Sequence, residues 1–143
     1  MKSVKQIIVM LIVIGSMYPQ SSILAAPKPS KTSEWIFIAN NSDYTKVYSG
    51  KKGSFEMTTT KGGIPIVMLL GQIEDKTNKN ITYNKWYVST SDCENETGKL
   101  VSLKINGEFE GEIDYVAKGE NIASAIGDTI CGVYRSTKEE KGV

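Results

Sequence analysis

Two cysteines have the most distinctive chemistry in this sequence: Cys93 in TSDCENE and Cys131 in DTICGVY. Each could be a reactive thiol, a metal ligand or half of a disulfide. A thiol nucleophile normally relies on a histidine base or a CxxC partner, and the sequence contains neither. A zinc site needs about four ligands, which two cysteines without histidine supply only if carboxylates join them.

The N-terminal sequence indicates the cellular compartment, and therefore the redox environment, in which the protein folds. Lys2 and Lys5 precede the apolar run IIVMLIVI, and small residues follow at Ala25 and Ala26. This order is typical of a secretory signal peptide. A membrane-spanning helix needs about 20 apolar residues, and this run is much shorter. We therefore expect residues 1–26 to be a cleaved signal peptide and the protein to be exported.

In an exported chain, two cysteines most often pair with each other. A Cys93–Cys131 bridge would stabilise the fold by about 4 kcal/mol through the lost entropy of the unfolded chain. We therefore predict a structural disulfide between Cys93 and Cys131, no catalytic residue, no metal site and no cofactor.

Polar segments flank the region that can fold. Residues 27–33 are rich in proline, serine and lysine and read as a flexible lead-in, and residues 136–143 read as a disordered tail. Residues 34–135 are predicted to form a single domain. The formal net charge is +1, and loss of two lysines with the signal peptide brings it close to zero. So small a charge does not favour nucleic acid or an anionic membrane as a partner.

Within the predicted domain the apolar residues alternate, as in β-strands. In GEFEGEIDYV one face carries Phe109, Gly111, Ile113 and Tyr115. The segment KLVSLKIN alternates in the same way, and Asn106 with Gly107 between them forms the strongest hairpin signal in the chain. WIFIAN and IPIVMLLGQI are apolar on both faces, which predicts central strands. NITYNKWYVSTSD, residues 80–92, reads as one long strand.

The last part of the domain has a helical pattern instead. Apolar residues recur at Ile122, Ile126, Ile130 and Val133, and Gly132 is a candidate for the end of the helix. About six to seven strands followed by one helix predict an α+β fold. We expect an antiparallel β-sheet meander with the C-terminal helix packed on it.

Acidic and aromatic side chains are the remaining candidates for a site. Four acids alternate along one strand and could bind calcium or a basic partner: Glu108, Glu110, Glu112 and Asp114. Because such side chains lie about 7 Å apart on a strand, they do not converge on one ion, and we interpret them as a solvated face. Five aromatics lie on predicted strands, where they either pack in the core or form a recognition surface: Tyr44, Tyr48, Tyr83, Trp86 and Tyr87.

The order of these features resembles the surface-adhesin protein E-like domain family, which comprises small exported bacterial domains. The resemblance covers about residues 34–135 and depends on WIFIANN, on TKVYS, on Asp92 followed by Cys93, and on IGDTICGVY. It implies an antiparallel sheet with a packed terminal helix and a Cys93–Cys131 bridge. It also implies binding to host extracellular-matrix or serum proteins. The named member of the family is lipid-anchored, whereas this chain has no cysteine near the predicted cleavage site, so we expect no stable membrane anchor.

The sequence as a whole predicts a non-enzymatic, adhesin-like binding domain of the bacterial envelope, located in the periplasm or outside the cell. Its expected partner is a host matrix or serum protein, or a periplasmic protein. An edge strand could also pair across a homodimer. Two alternatives remain open: a periplasmic inhibitor or immunity protein against a toxin or cell-wall hydrolase, and a hydrolase that uses a carboxylate pair.

Overall fold

A computed structural model describes residues 34–142 of the chain. The predicted signal peptide, residues 1–26, and the lead-in, residues 27–33, lie outside the described residues. Within them the elements follow one another as β1 (Trp35–Asn40), β2 (Lys46–Lys51), β3 (Glu56–Thr59), β4 (Pro65–Asp75), β5 (Asn80–Ser89), α1 (Thr90–Asn95), β6 (Thr97–Lys104), β7 (Phe109–Val116) and α2 (Ile122–Glu140).

The seven strands of this region form one antiparallel sheet in the order β1-β2-β4-β5-β6-β7. Strand β4 is long enough to serve two partners on one side, because its first residues pair with β3 and its last with β2. Helix α2 packs on one face of the sheet. The predicted α+β architecture, an antiparallel meander with a C-terminal helix, is confirmed.

The hairpin predicted at Asn106 and Gly107 joins β6 to β7. Gly107 has a φ of 90°, in the region that favours glycine, and its N–H donates to the carbonyl of Lys104 at 2.8 Å. Of the two strands predicted to be central, β4 lies inside the sheet but β1 forms an edge. Ile38 of β1 packs against the core, but Ile36 and Phe37 on the two faces of this edge strand are both exposed.

The predicted strand over residues 80–92 is three residues shorter than expected. It ends at Ser89, whose Oγ accepts a hydrogen bond from the Asp92 N–H at 3.1 Å and so caps α1. This capping bond stabilises the helix over the strand, although Val88 and Thr90 both have a high strand propensity. As a result, Cys93 lies in the short helix α1.

Helix α2 begins where the apolar stripe predicts it. The Asn121 side chain accepts a hydrogen bond from the Ser124 N–H at 2.7 Å and caps the N-terminus. The helix does not end at Gly132, and it continues through residues 136–140 of the segment predicted to be a disordered tail. Lys138 explains part of this extension, because its Nζ lies 3.0 Å from Oε1 of Glu94 on α1.

The core lies between α2 and one end of the sheet. Its fully buried members include side chains from both layers: Val67, Leu69, Trp86, Val88, Leu100, Tyr115, Ile126 and Ile130. Two glycines allow close packing, Gly71 between neighbouring strands of the sheet and Gly127 between α2 and the sheet. A Cβ at Gly71 would lie 2.2 Å from the Trp86 ring, and a Cβ at Gly127 would lie 2.3 Å from the Tyr115 ring.

Candidate functional site

The predicted disulfide is present in the structure and joins Cys93 of α1 to Cys131 of α2. The two Cα atoms are 5.2 Å apart, although 38 residues separate them along the chain. Both side chains are buried in the core. No free cysteine occurs among residues 34–142, so the thiol chemistry considered above does not apply to this pair.

Polar contacts surround the bridge and tie the same two helices together. The Tyr134 hydroxyl donates to Oε1 of Glu94 at 2.8 Å, and the Lys138 ammonium binds the same oxygen. The hydrogen bond from Tyr134, followed by the one from Lys138, lowers the pKa of Glu94 below its ordinary value. The same contact raises the pKa of Tyr134. These contacts therefore connect α1 to α2 beside the disulfide.

The predicted four-acid face is interrupted, and the interruption creates a different site. In the β6–β7 pairing Ser102 lies opposite Gly111, but the next residue, Leu103, lies opposite Phe109. Glu110 is therefore an extra residue, as in a β-bulge. Phe109 consequently leaves the face of Gly111 and Tyr115 on which it was predicted. Glu110 instead reaches the side of the sheet that carries α2.

A cleft of about 520 Å³ opens on this side of the sheet, next to the first turns of α2. We refer to it as the helix-side cleft. It is lined by Tyr48, Ile73, Trp86, Leu100, Ser102, Glu110, Gly111, Ile113, Asn121, Ile122 and Ile126. Most of these side chains are apolar, and the rings of Tyr48 and Trp86 lie 6.4 Å apart between centroids. Glu110 is the charged residue of the lining.

Two neighbours hold the Glu110 carboxylate in place. Oε2 accepts a hydrogen bond from the Ser102 hydroxyl at 2.9 Å and another from the Asn84 amide. Asn84 is 2% exposed, and its Nδ2 also lies 3.4 Å from the Leu103 carbonyl. Its Oδ1 is buried without a hydrogen-bond partner in the described part of the chain. Such an orphan acceptor is uncommon in a folded protein and often marks a ligand or an ordered water.

The opposite side of the sheet, which we call the open face, presents a second candidate surface. Residues that pair across antiparallel strands share a face, so the register defines two adjacent rows. One row runs Phe37, Ser49, Gln72 and Tyr83, and the other runs Leu70, Lys85, Leu103 and Phe109. Phe37 and Phe109 are 59% and 60% exposed. Exposed aromatic side chains therefore lie on the open face at β1, β5 and β7, with polar residues between them.

The aromatic residues singled out in the sequence divide between the two sides. Trp86 is buried in the core, and Tyr48 packs against the core beside it. Tyr83 and Tyr87 belong to the open face, where the Tyr83 ring stacks against Trp35 at a centroid distance of 5.7 Å. Tyr44 lies in the turn before β2 with a positive φ of 59°. Core packing is thus confirmed for Trp86 and Tyr48, the recognition surface stays a prediction for Tyr83 and Tyr87, and the predicted strand position of Tyr44 is wrong.

Comparisons of the chain with protein-family models, with curated proteins and with solved structures find no match. Within residues 34–142, no cluster of three or more histidine, cysteine, aspartate or glutamate side chains has the geometry of a metal site. No helix in the same range combines the length and the apolar character needed to cross a bilayer. The two surfaces described above are therefore the candidates from which a function can be argued.

Sequence reasoning did not identify the polar end of the helix-side cleft. Glu110 looked like one of four equivalent acids, and Asn84 looked like a strand residue without a special role. A signal was present in the glycine of GEFEGEI, because a glycine inside a strand often marks a bulge. The pairing of Glu110 with Asn84, 26 residues away in the chain, depends on sheet order and cannot be inferred from spacing.

Proposed function

We propose that this chain is an exported, non-enzymatic binding domain that recognises a protein partner through the open face. The observation that carries the proposal is the exposure of Phe37, Tyr83 and Phe109 in two adjacent rows of one sheet face. Single exposed apolar residues are ordinary, whereas several aromatic side chains on one sheet face, with the Tyr83 ring stacked on Trp35, favour an interaction surface. Aromatic residues at the centre of such a surface supply most of the binding energy in protein interfaces.

The rest of the open face suits a protein partner better than a lipid or nucleic acid. Lys85 lies between Leu70 and Leu103 in the second row, and the Lys99–Asp114 ion pair lies on the neighbouring strands. This mixture of both signs of charge with apolar residues is compatible with a protein interface, which combines apolar and polar contacts. A surface that binds nucleic acid would need an excess of positive charge.

The family resemblance supplies the expected partner class, host matrix or serum proteins. Purified protein is tested for binding to immobilised laminin and vitronectin, each over a range of salt concentrations. We expect saturable binding that persists at high salt, because apolar contacts are not screened. The double variant Tyr83→Ser/Phe109→Ser should weaken this binding at least about tenfold, in line with the loss of two aromatic anchors.

Ile113→Ser is the matched control for this experiment. Ile113 lies on the same strand as Phe109 and has nearly the same exposure, 59% against 60%, but it faces the helix-side cleft. Equal losses in the control and the double variant would contradict binding through the open face. Absence of binding to either matrix protein, together with capture of one periplasmic protein that depends on Tyr83 and Phe109, would favour the inhibitor or immunity function instead.

A further inference from the structure

We infer that the helix-side cleft binds a small aromatic molecule that carries one ammonium group. The site is separate from the open face, because its lining comes from the opposite side of the sheet and from α2. The inference therefore does not depend on the proposed recognition of a protein partner, and either can fail without the other.

The dimensions and walls of the cleft suit a small molecule. Its volume of about 520 Å³ falls within the range of roughly 300–1,000 Å³ found for ligand pockets. Ile73, Ile113 and Ile122 supply aliphatic surface, and the half-buried ring of Tyr48 is inclined at 38° to the ring of Trp86, which is only 3% exposed. Aromatic rings favour other rings through stacking or edge contacts, and their faces attract cations. A flat apolar body with an adjacent positive charge matches these walls.

The polar end of the cleft determines the charge of the ligand. Glu110 contributes the charge in the lining, and its Oε2 is fixed by Ser102 and Asn84. Its second oxygen, Oε1, accepts no hydrogen bond from a residue in the described range. A carboxylate held by two donors is already oriented, so little conformational entropy is lost when it accepts a third hydrogen bond. An ammonium group is the donor that gains most from such an acceptor.

The surroundings of Glu110 strengthen this preference for a cation. The nearby Lys104 ammonium lies 3.3 Å from the Glu108 carboxylate, and these two charges offset each other. Asn84 holds Glu110 from outside the cleft lining and adds no positive charge beside it. The charge at this end of the cleft is therefore the negative charge of Glu110, so a ligand with a carboxylate would be repelled where a ligand with an ammonium would be bound.

The first experiment compares two probes of nearly the same shape and opposite charge, tryptamine and indole-3-propionate. Each is titrated into the ¹⁵N-labelled exported protein with its disulfide intact, and the chemical shifts of the backbone amides are recorded. We expect tryptamine to cause saturable shifts at Gly111 and Ile122 and to bind at least about tenfold more tightly than indole-3-propionate, because of the charge-assisted hydrogen bond. Equal affinities, shifts confined to other regions, or no shift in the cleft at the solubility limit of tryptamine would overturn the inference.

Three variants locate the binding. A Cβ at Gly111 would meet no atom within 4 Å, so Gly111→Val fits the backbone while its side chain occupies the cleft. We expect it to weaken tryptamine binding at least about tenfold by filling the space where the ligand packs. Glu110→Gln should weaken tryptamine binding about fivefold or more and reduce the preference over indole-3-propionate. Glu112→Gln, on the other face of the same strand, is the control and should bind as the unmodified protein does.

Thermal unfolding of each variant separates loss of the site from loss of the fold. Gly111→Val retains Glu110, and Glu110→Gln retains the shape of the cleft, so the two variants test volume and charge separately. Unchanged tryptamine affinity in folded Gly111→Val would place the ligand elsewhere and reject the inference. The same conclusion follows if Glu112→Gln weakens binding as much as Glu110→Gln.

Discussion

Two glycines of α2 occupy opposite environments, although both interrupt the helix pattern in the sequence. A Cβ at Gly127 would lie 2.3 Å from the Tyr115 ring, whereas a Cβ at Gly132 would meet nothing within 4 Å. Tyr115 is buried in the core, and its hydroxyl donates to Asp128 at 3.1 Å, so the ring cannot easily move away. Burial, followed by this hydrogen bond, raises the pKa of Tyr115. Gly127 is therefore needed for the close contact between helix and sheet.

The same substitution at the two glycines should have opposite effects on stability. We expect Gly132→Ala to increase the free energy of unfolding by about 0.8 kcal/mol, the usual gain of alanine over glycine inside a helix. Gly127→Ala should decrease it by about 1–3 kcal/mol, because overpacking against Tyr115 outweighs that gain. Urea unfolding followed by circular dichroism measures both variants. Stabilisation by Gly127→Ala would show that the contact with Tyr115 is not close in solution.

At the scale of elements, the Cys93–Cys131 bridge connects α1 to α2 in the interior. The double variant Cys93→Ala/Cys131→Ala should lower the free energy of unfolding by about 4 kcal/mol, since the closed loop no longer restricts the unfolded chain. Chemical unfolding of the oxidised protein and of the variant gives the difference. A loss below about 1 kcal/mol would indicate that the polar contacts between α1 and α2 hold the helices without the bridge.

Those polar contacts make a separate contribution that depends on pH. Hydrogen bonds from Tyr134 and Lys138 lower the pKa of Glu94 below 4.5, so its charged form favours the folded state. This contribution is present above pH 4.5 and is lost as the pH falls through the lowered pKa of the folded state. We expect Glu94→Gln to melt at a lower temperature than the unmodified protein at pH 7, and the two melting temperatures to converge in more acidic solution. Glu139→Gln on α2, next to Lys138 in the chain, is the control, and an identical pH profile for both variants would contradict the role of Glu94.

The elements also show how far the sequence could predict the fold. Alternation and the Asn106–Gly107 turn predicted the β6–β7 hairpin, and the isoleucine stripe predicted α2, because these signals depend on near neighbours in the chain. The edge position of β1 and the bulge at Glu110 depend on which strands pair, and periodicity contains no information about sheet order. The continuation of α2 past Gly132 is favoured by Glu94, which contacts Lys138 from 44 residues away. The helix-side cleft could not be predicted either, because its polar end depends on which strands lie next to each other in the sheet.

At the scale of the whole molecule, two of the contacts that fasten α2 lie at the same end of the sheet. They are the contact of Gly127 with Tyr115 near the end of β7 and the bridge to α1, which follows the end of β5. The other end of the same face includes Ile73, Ser102 and Gly111 and is left without a covering element in the described chain. The helix-side cleft is thus a consequence of where the helix is attached. The open face is a second consequence, because one helix can cover one face only.

The predicted export of the chain connects its N-terminus to the stability of the fold. If residues 1–26 direct secretion, the protein folds in an oxidising compartment where Cys93 and Cys131 can pair. We expect the mature protein to begin at or within one residue of Pro27, and its cysteines to resist alkylation until a reductant is added. Mass spectrometry of protein from the periplasm and medium measures both properties. The same chain produced in the cytosol without residues 1–26 is the control, and it should carry two alkylated thiols and unfold at a lower urea concentration. Recovery of unprocessed protein with two free thiols from the exporting cells would contradict the predicted signal peptide, and it would remove the reason to expect the bridge in the cell.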